Sequence, residues 1–394
     1  MRIVVLGGAG IIGRVIARDL IQDVGEVVIA DLDLQAAQST VAAIGGGSPA
    51  RVDVTQQQEL VTLLRGAGAC VNSVNYYFNL PVMRACLEAG VPYLDLGGLF
   101  HTTRKQLELH QEYERAGVTA VLGLGSCPGV ANVQAGWLGG MLDRVRRVSI
   151  YNGATPEEGG SLAAPYAIET ILDEISKPAM VFHDGQFQER PPLGEEEFYN
   201  FPEPIGRAKV HLSLHSEVAT IPLSLADKGI QECSFKITFF GYSEPALRKL
   251  QFLAELGLAS TEPLEVNGAT VRPRALLMQL LRQLPQAHEK PISKGYKAVI
   301  TEAEGESGGR PVLLRAETVG GRHAGWGISG GTLLVAAPPA IVARWLAAGS
   351  LNRPGVWPPE QVVEPGPFFD ELTQRGFTTR LSRTETVAQV AGQR

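Results

Sequence analysis

Three glycines near the start of the chain have a spacing that is typical of phosphate binding. Gly8, Gly10 and Gly13 in "VLGGAGIIGRVIARDL" follow a short apolar run and precede apolar residues at helical spacing. A helix that begins at such a loop presents free backbone N–H groups and the positive end of its dipole to an anion. Asp31 ends the next apolar run, where a carboxylate can bind ribose hydroxyls. The pattern predicts a site for an adenine dinucleotide.

The residues around Asp31 favour NAD over NADP. A carboxylate accepts hydrogen bonds from the 2′-hydroxyl of NAD and repels the 2′-phosphate of NADP, and no arginine follows it in "DLDLQAAQ". Asp53, after the third predicted strand, lies either near the adenine ring or in an exposed loop. The other residues that we expect at the cofactor are Ile11, Ile12, Val54, Ser73 and Val74.

His215 and Glu217, in "LHSEVATIP", could together take a proton from an amine. An ammonium group has a pKa of about 10 in water, so it must lose a proton before its carbon gives up a hydride. If the segment is a strand, alternate side chains share a face, and His211 lies beyond this pair. The same residues could instead bind an ammonium group or be structural. A metal site would need a third ligand, and we predict none.

Other polar residues follow predicted parallel strands, at the edge where ligands of such sheets bind. Asp95, in "YLDLGG", could bind a substrate ammonium group, accept its proton, or cap a turn. The Cys127 thiol is either a catalyst or a small packing residue. The remaining candidates could either contact the substrate or have an ordinary role in a loop, a helix cap or the core. They are Asn75, Tyr76, Tyr77, Asn132 and Tyr166.

The elements that must position these residues alternate between strand and helix patterns up to residue 142. Such alternation predicts an α/β fold with a doubly wound parallel sheet of the Rossmann type. From residue 143 the patterns become mixed, with "VHLSLHSEV" among the predicted strands and "PYAIETILDEIS" among the helices. We therefore predict a dinucleotide-binding domain of residues 1–142 plus 335–394. A mixed α+β substrate and dimerisation domain, residues 143–334, is inserted into it.

Composition excludes several classes of protein. The 394 residues carry a net charge of −6 without a basic block, which argues against a nucleic-acid partner. The four cysteines form no Cys-x-x-Cys pair, so reduced thiols and a cytoplasmic location fit best. The beginning of the chain has no signal-peptide pattern. The longest apolar stretch, residues 331–349, is interrupted by two prolines and an arginine, so we predict no membrane helix.

Two other enzyme classes match parts of the sequence but lack a required partner. Short-chain dehydrogenases share the spacing of Gly7, Gly10 and Gly13, but need a Tyr-x-x-x-Lys pair, and none of the nine tyrosines has lysine four residues later. The stretch "GISGG" at 327–331 matches a hydrolase motif whose histidine must follow the serine, and no histidine lies beyond residue 323.

The chain closely resembles the saccharopine dehydrogenase-like oxidoreductases in the stretch "VNSVNYYFNLPVMRACLEAGVPYLDLGG" (71–98). The resemblance continues in "GLGSCPGVANV" (123–133). The stretches "FPEPIGRAKVHLSLHSEVATIP" and "LGLASTEPLEVNGATVRPRALL" look most like the L-lysine 6-dehydrogenase branch. The resemblance implies a closing helix that returns to the nucleotide domain, and a homodimer. Cys127 stands where many relatives carry aspartate, and "GISGGT" replaces the Thr-Thr-Gly that is usual before the closing helix.

This resemblance implies an NAD(P)-dependent oxidoreductase that acts on the C–N bond of a small amine or amino acid. The first expectation is oxidative deamination of the terminal amine of L-lysine by hydride transfer to NAD. The alternative within the family is a saccharopine or carboxynorspermidine type of reductase or dehydrogenase. An alternative of another class is a non-catalytic NAD-binding sensor, which Cys127 in place of the aspartate keeps open. The expected catalytic residues are Asp95, Cys127, His215 and Glu217.

Overall fold

The fold is described from a computed structural model of the chain. It describes residues 1–155, 168–239, 244–283 and 295–385. Two large sheets, one parallel and one mixed, carry nearly all of the strands, and helices cover them.

The first part of the chain alternates strand and helix, as predicted. The strands are β1 (Arg2–Leu6), β2 (Glu26–Asp31), β3 (Ser48–Arg51), β4 (Ala69–Asn72), β5 (Tyr93–Asp95) and β6 (Thr119–Val121). The helices are α1 (Gly13–Leu20), α2 (Leu34–Ile44), α3 (Gln57–Leu64), α4 (Asn79–Ala89), α5 (Leu99–Leu107), α6 (His110–Arg115) and α7 (Val130–Gly140), with a short 3₁₀ turn at Tyr76–Phe78.

The second part is mixed. Its strands are β7 (Arg144–Ala154), β8 (Ala179–His183), β9 (Gln186–Arg190), β10 (Glu197–Asn200), β11 (Arg207–Leu212), β12 (Glu232–Ile237), β13 (Leu264–Val266), β14 (Ala269–Val271), β15 (Lys297–Ser307) and β16 (Arg310–Gly320). Its helices are α8 (Ile168–Ser176), α9 (Glu217–Ser224), α10 (Glu244–Leu253) and α11 (Pro273–Gln283), with a 3₁₀ turn at Ala226–Lys228 and a π-helical turn at Ala254–Leu258.

The last part returns to both sheets. It contains α12 (Gly330–Ala348), β17 (Gly355–Trp357), α13 (Pro359–Val362), α14 (Pro365–Gln374) and β18 (Thr378–Glu385). The parallel sheet has the order β17-β6-β5-β4-β1-β2-β3. Its central strands are apolar and buried on both faces because helices cover both sides: β4 is buried throughout, and β1 from Ile3 onward. The Rossmann-type prediction is confirmed.

The mixed sheet has the order β10-β11-β12-β7-β15-β16-β18, with β8 and β9 joined to it through β12. β15 pairs antiparallel with β7 on one side and with β16 on the other. Helix α7 packs against β15 and β16, so this sheet faces the first domain. One face of the mixed sheet therefore looks toward the carboxyl ends of the parallel strands.

Helix α12 is the closing helix, and it packs against α1. Arg344 of α12 contacts Asp19 of α1 at 3.1 Å and Glu371 of α14 at 2.8 Å. Its length and composition would allow it to cross a membrane, but 61% of the apolar window is buried inside the protein. A buried arginine with ion-pair partners and the packing against α1 are typical of a core helix.

Two expectations differ from the structure. The predicted strand "VHLSLHSEV" ends at Leu212, and Glu217 begins helix α9, because the apolar residues change from alternate spacing to the helical spacing of Val218 and Ile221. The segment 378–385, which we assigned to the first domain, is β18 and pairs with β16 of the mixed sheet. It covers an edge strand that would otherwise be unpaired.

Candidate active site

A cavity of about 330 Å³ lies between the two domains. The first domain lines it with the loop that contains Gly8, Gly10 and Gly13, here called the glycine loop, and with the segments that follow β4, β5 and β6. Ligands of doubly wound sheets bind at this edge. The second domain contributes the opposite wall. Polar or ionisable residues of that wall are Asn152, Thr170, Glu174, His215, Ser216 and Lys297.

The glycine loop has the shape that a pyrophosphate needs. A Cβ on Gly13 would lie 2.2 Å from the Gly7 carbonyl oxygen, so only glycine allows α1 to approach β1 this closely. A Cβ on Gly10 would meet only that same oxygen, at 3.1 Å, and would otherwise point into open space. Among the described residues, the amides of Ile11, Ile12 and Gly13 donate no hydrogen bond to the protein. These free donors at the start of α1 fit a dinucleotide phosphate.

Asp31 lies beside this loop. Its Oδ2 accepts a hydrogen bond from the backbone N–H of Ala9 at 3.1 Å, which fixes the carboxylate at the end of β2. Asp33 instead caps α2 by accepting from Ala36 N. Arg51 of β3 is paired in register with Asp31, and its side chain is exposed. Sequence reasoning missed this arginine because it precedes Asp53 on another strand; only the parallel pairing places it opposite Asp31.

Of the other cofactor candidates, Ile11, Ile12, Ser73 and Val74 line the cavity. The Ser73 hydroxyl donates to the carbonyl of Leu6 at 2.6 Å. Val54 packs against the apolar core of the parallel sheet. Asp53 accepts from the backbone N–H and the hydroxyl of Thr55 at 2.9 and 2.7 Å, and it stabilises its own turn. These two hydrogen bonds lower the pKa of Asp53.

His215 and Glu217 form a pair, although not on a strand. His215 Nδ1 lies 2.5 Å from Oε2 of Glu217, which is in the first turn of α9. On the other side of the ring, Nε2 lies 3.8 Å from Oε1 of Glu174. The imidazole stacks on Phe235, with the ring centroids 3.9 Å apart. Burial by itself would lower the pKa of His215, but the Glu217 carboxylate outweighs it, and Glu174 adds to it, so the pKa is raised.

His211 does not accompany this pair. It lies near Glu196 and Glu244, and one ligand atom from each of the three could meet a metal ion, since these atoms lie within 4.8 Å of one another. Lys209 lies 2.9 Å from Glu196 and 3.8 Å from Glu244, and Arg248 contacts both carboxylates as well. These cations already neutralise the two acids, so the cluster is explained as a surface ion-pair network.

Asp95 is buried below the cavity and does not line it. Its oxygens accept from Tyr93 at 2.8 Å and from Gln106 at 2.6 Å, and from the backbone N–H of Gly123 and Gly97 at 2.7 and 2.9 Å. Burial raises the pKa of Asp95, although these donors oppose the shift. In this position the carboxylate fixes the loops after β5 and β6, which do line the cavity.

The Cys127 thiol lines the cavity between Ser126 and Pro128. Burial raises its pKa well above the ordinary value, and the nearby Glu217 carboxylate raises it further. The thiol is therefore protonated at neutral pH, whereas an aspartate at this position would bring a negative charge next to Glu217. This charge is the physical difference between Cys127 and the aspartate of many relatives.

Tyr76 also lines the cavity, and its hydroxyl donates to Asp173 of α8 at 2.7 Å. Tyr77 donates to the same carboxylate, and Asn75 caps the turn by accepting from Tyr77 N at 3.1 Å. Asn132 is buried and caps α7: its Oδ1 accepts from Gly129 N at 3.0 Å and its Nδ2 donates to Glu360 at 2.8 Å. Tyr166 lies outside the described residues.

Of the six polar or ionisable residues of the second-domain wall, only His215 was predicted; the others include Asn152, Glu174 and Lys297. Each is buried, with 3%, 2% and 1% of its surface exposed. Lys297 shares a face of β15 with Val299 and Thr301, which are also buried. A lysine at a buried position of an otherwise apolar strand pattern was the available signal, since lysine is seldom fully buried.

The parallel sheet, the glycine loop and the buried histidine–glutamate pair across one cavity define a two-domain oxidoreductase that uses a nicotinamide dinucleotide. Residues 3–121 match the saccharopine dehydrogenase NADP binding domain, and residues 125–377 match the saccharopine dehydrogenase C-terminal domain. The chain belongs to the saccharopine dehydrogenase family, as its resemblance implied. It is an NAD(P)-dependent dehydrogenase that acts on CH–NH or CH–NH₂ groups.

Relatives and a solved structure agree with this assignment. Carboxyaminopropylagmatine dehydrogenase of Synechocystis sp. is 27% identical over 291 residues, which cover 71% of this chain and 72% of the relative. Carboxynorspermidine synthase of Vibrio cholerae is 24% identical over 406 residues and 94% of each chain. The structure of L-Glu-forming saccharopine dehydrogenase from Saccharomyces cerevisiae has the same fold, with a TM-score of 0.73, 14% identity and coverage of 97% of this chain and 99% of that one.

Proposed function

We propose that the protein interconverts an imine and a secondary amine in which one nitrogen substituent is a carboxyaminopropyl group. The His215–Glu217 pair at the cavity carries this proposal, because it places a proton-exchanging group opposite the cofactor loop. The names of the two relatives support the substrate class. They favour the family alternative of the sequence analysis over L-lysine 6-dehydrogenase.

The ionisable groups at the cavity suit this reaction. When bound, the nicotinamide ring supplies or accepts the hydride. In the direction of reduction, protonated His215 provides a proton to the imine nitrogen, and Glu217 stabilises the charged ring beforehand. In the direction of oxidation, neutral His215 accepts the proton of the substrate ammonium group. Glu174, 3.8 Å from the other ring nitrogen, is placed to attract the cationic amine.

Oxidative deamination of L-lysine requires the same proton transfer and is the second candidate. Its support is the sequence resemblance of residues 201–222 and 256–277. The non-catalytic sensor is disfavoured because a paired, buried histidine faces the cavity although Cys127 replaces the aspartate. For the cofactor we propose NAD, on the position of Asp31, while Arg51 on the neighbouring strand is the residue that could accept a 2′-phosphate.

The test compares the two candidate reactions directly. The purified protein is mixed with NADH or NADPH, an α-amino-acid semialdehyde and either agmatine or a diamine, and the loss of reduced cofactor is followed. In a parallel assay, L-lysine is mixed with NAD or NADP. We expect cofactor oxidation that needs both the aldehyde and the amine, with a product of the summed mass less water plus two hydrogens. Oxidation of L-lysine without reaction in the first mixture would reverse the order of the candidates.

A further inference from the structure

The wall of the cavity that the mixed sheet provides has polar groups that the proton transfer does not use. We propose that Lys297 and Asn152 form a subsite for an α-amino-carboxylate group, in which Lys297 binds the carboxylate and Asn152 Oδ1 accepts from the α-ammonium. The subsite deepens the proposed function, since it would hold the non-reacting end of the substrate while the amine lies near His215 and Glu174.

The sheet places the two side chains together. Lys297 of β15 is opposite Ala154 of β7, and Asn152 is opposite Val299. Residues two apart on a strand share a face, so Lys297 and Asn152 lie on the same face of neighbouring strands. Both line the cavity, on the wall that faces the cofactor loop. They are therefore placed to bind what lies beside the cofactor rather than the dinucleotide phosphates.

Asn152 has an unused acceptor. It is 3% exposed, and its Oδ1 has no hydrogen-bond partner among the described residues. Asn132, another buried asparagine near the domain boundary, has both amide atoms bonded. Burial of an unpaired carbonyl oxygen is unfavourable, and a ligand that donates a hydrogen bond removes the penalty. The free oxygen at the cavity surface thus indicates a donor on the substrate.

Charge distinguishes the ligand that fits. Lys297 is 1% exposed at the cavity wall, and its positive charge partly opposes the rise in the pKa of both His215 and Cys127. A carboxylate on the substrate is attracted to this ammonium group, whereas a plain diamine brings a second cation toward it. An acceptor next to a cation complements a zwitterion, with its ammonium and carboxylate on one carbon.

The test uses three ligands that differ in this one group. L-lysine has the whole α-amino-carboxylate, cadaverine lacks the carboxylate, and 6-aminohexanoate lacks the α-ammonium. Their binding to the protein saturated with NADH is measured by calorimetry, which needs no turnover. We expect L-lysine to bind about tenfold or more tightly than either analogue, since a charge-assisted hydrogen bond is lost in each case.

Variants assign the two contacts. Lys297→Met should weaken the binding of L-lysine and of 6-aminohexanoate by about tenfold or more, and the binding of cadaverine far less. Lys297→Arg should restore part of the lost affinity. Asn152→Ala should weaken the binding of L-lysine but leave the affinity for 6-aminohexanoate within about twofold of the unaltered protein. Lys105→Met, at an exposed position of α5, is the matched control and should change none of the three.

Two outcomes would overturn the subsite: cadaverine binding as tightly as L-lysine to the unaltered protein, or Lys297→Met weakening all three ligands equally. If Lys297→Met does not fold, Asn152→Ala still gives the comparison. Failure of the proposed function would look different. No amine would then cause oxidation or reduction of the cofactor, but L-lysine would still bind more tightly than cadaverine and 6-aminohexanoate.

Discussion

Tyr76 of the first domain donates a hydrogen bond to Asp173 of the second, with 2.7 Å between the two oxygens. Asp173 is fully buried and also accepts from Tyr77 and from Arg274 of α11, the latter at 2.7 Å. Lys177, directly after the end of α8, has its Nζ 3.1 Å from Oδ1 of Asp173. One carboxylate thus connects the loop at the cofactor side to two helices of the other domain.

Replacing Asp173 should therefore destabilise the protein more than replacing its exposed partner. Asp173→Asn leaves the largely buried Arg274 without a counter-charge, which costs about 3 kcal/mol. Lys177→Met removes a half-exposed partner and should cost less than about 1 kcal/mol. Urea unfolding of both variants measures the difference. Equal losses would mean that the cluster does not hold the domains together.

The pH dependence of amine oxidation should follow His215. Oxidation needs a neutral ring, and the pKa of His215 is raised by the Glu217 carboxylate, so oxidation should increase as pH rises through that raised pKa. Glu217→Gln removes the main cause of the rise and should move the profile toward lower pH. His215→Asn should lower kcat by about 10²–10⁴-fold. A profile unchanged in Glu217→Gln would exclude His215 as the proton acceptor.

The same pair predicts a pH-dependent stability. Because the folded-state pKa of His215 is above its ordinary value, the ion pair stabilises the fold below the ordinary histidine pKa. This contribution is lost as pH rises through the raised value. The difference in free energy of unfolding between the unaltered protein and Glu217→Gln should be largest in mild acid and should shrink in alkaline solution. A difference that grows toward alkaline pH would contradict the pairing.

Substitutions in the glycine loop should separate cofactor binding from folding. Gly10→Val fills the space where the phosphate would lie and meets only one carbonyl oxygen, so dinucleotide binding should be lost with a small change in Tm. Gly13→Ala puts a methyl group 2.2 Å from the Gly7 oxygen and should lower Tm as well. Fluorescence titration with NADH and thermal unfolding measure the two effects. Tight NADH binding by Gly10→Val would place the cofactor elsewhere.

Cofactor preference should depend on Asp31 and Arg51. Asp31→Ala removes the ribose acceptor and the repulsion of a 2′-phosphate, so the ratio of NAD to NADP affinity should fall about tenfold or more. Arg51→Gln should move the ratio in the opposite direction. Asp33→Ala is the matched control: loss of the α2 cap should cost about 1 kcal/mol of stability and leave the ratio unchanged. A ratio insensitive to both Asp31 and Arg51 would remove the basis for NAD.

Local patterns made half of this site predictable. The glycine loop and Asp31 follow consecutive elements, so their spacing alone indicates their placement, and His215 and Glu217 stay paired although the segment leaves its strand. The opposite wall is different: Asn152, Glu174 and Lys297 come from three distant elements. Which of their faces meets the cavity depends on strand pairing and domain packing, which no single segment encodes. Asp95 had the expected strand-end position, but neighbouring donors enclose it.

The pairing of β18 with β16 means that the chain passes from one domain to the other three times: between α7 and β7, between β16 and α12, and between α14 and β18. Two crossings would let the domains swing apart about a line through both. A third connection must bend or stretch in the same movement, so large swings are resisted. Substrate entry is then expected to occur by small adjustments of loops, and truncation after residue 377 should loosen the assembly by leaving only two connections.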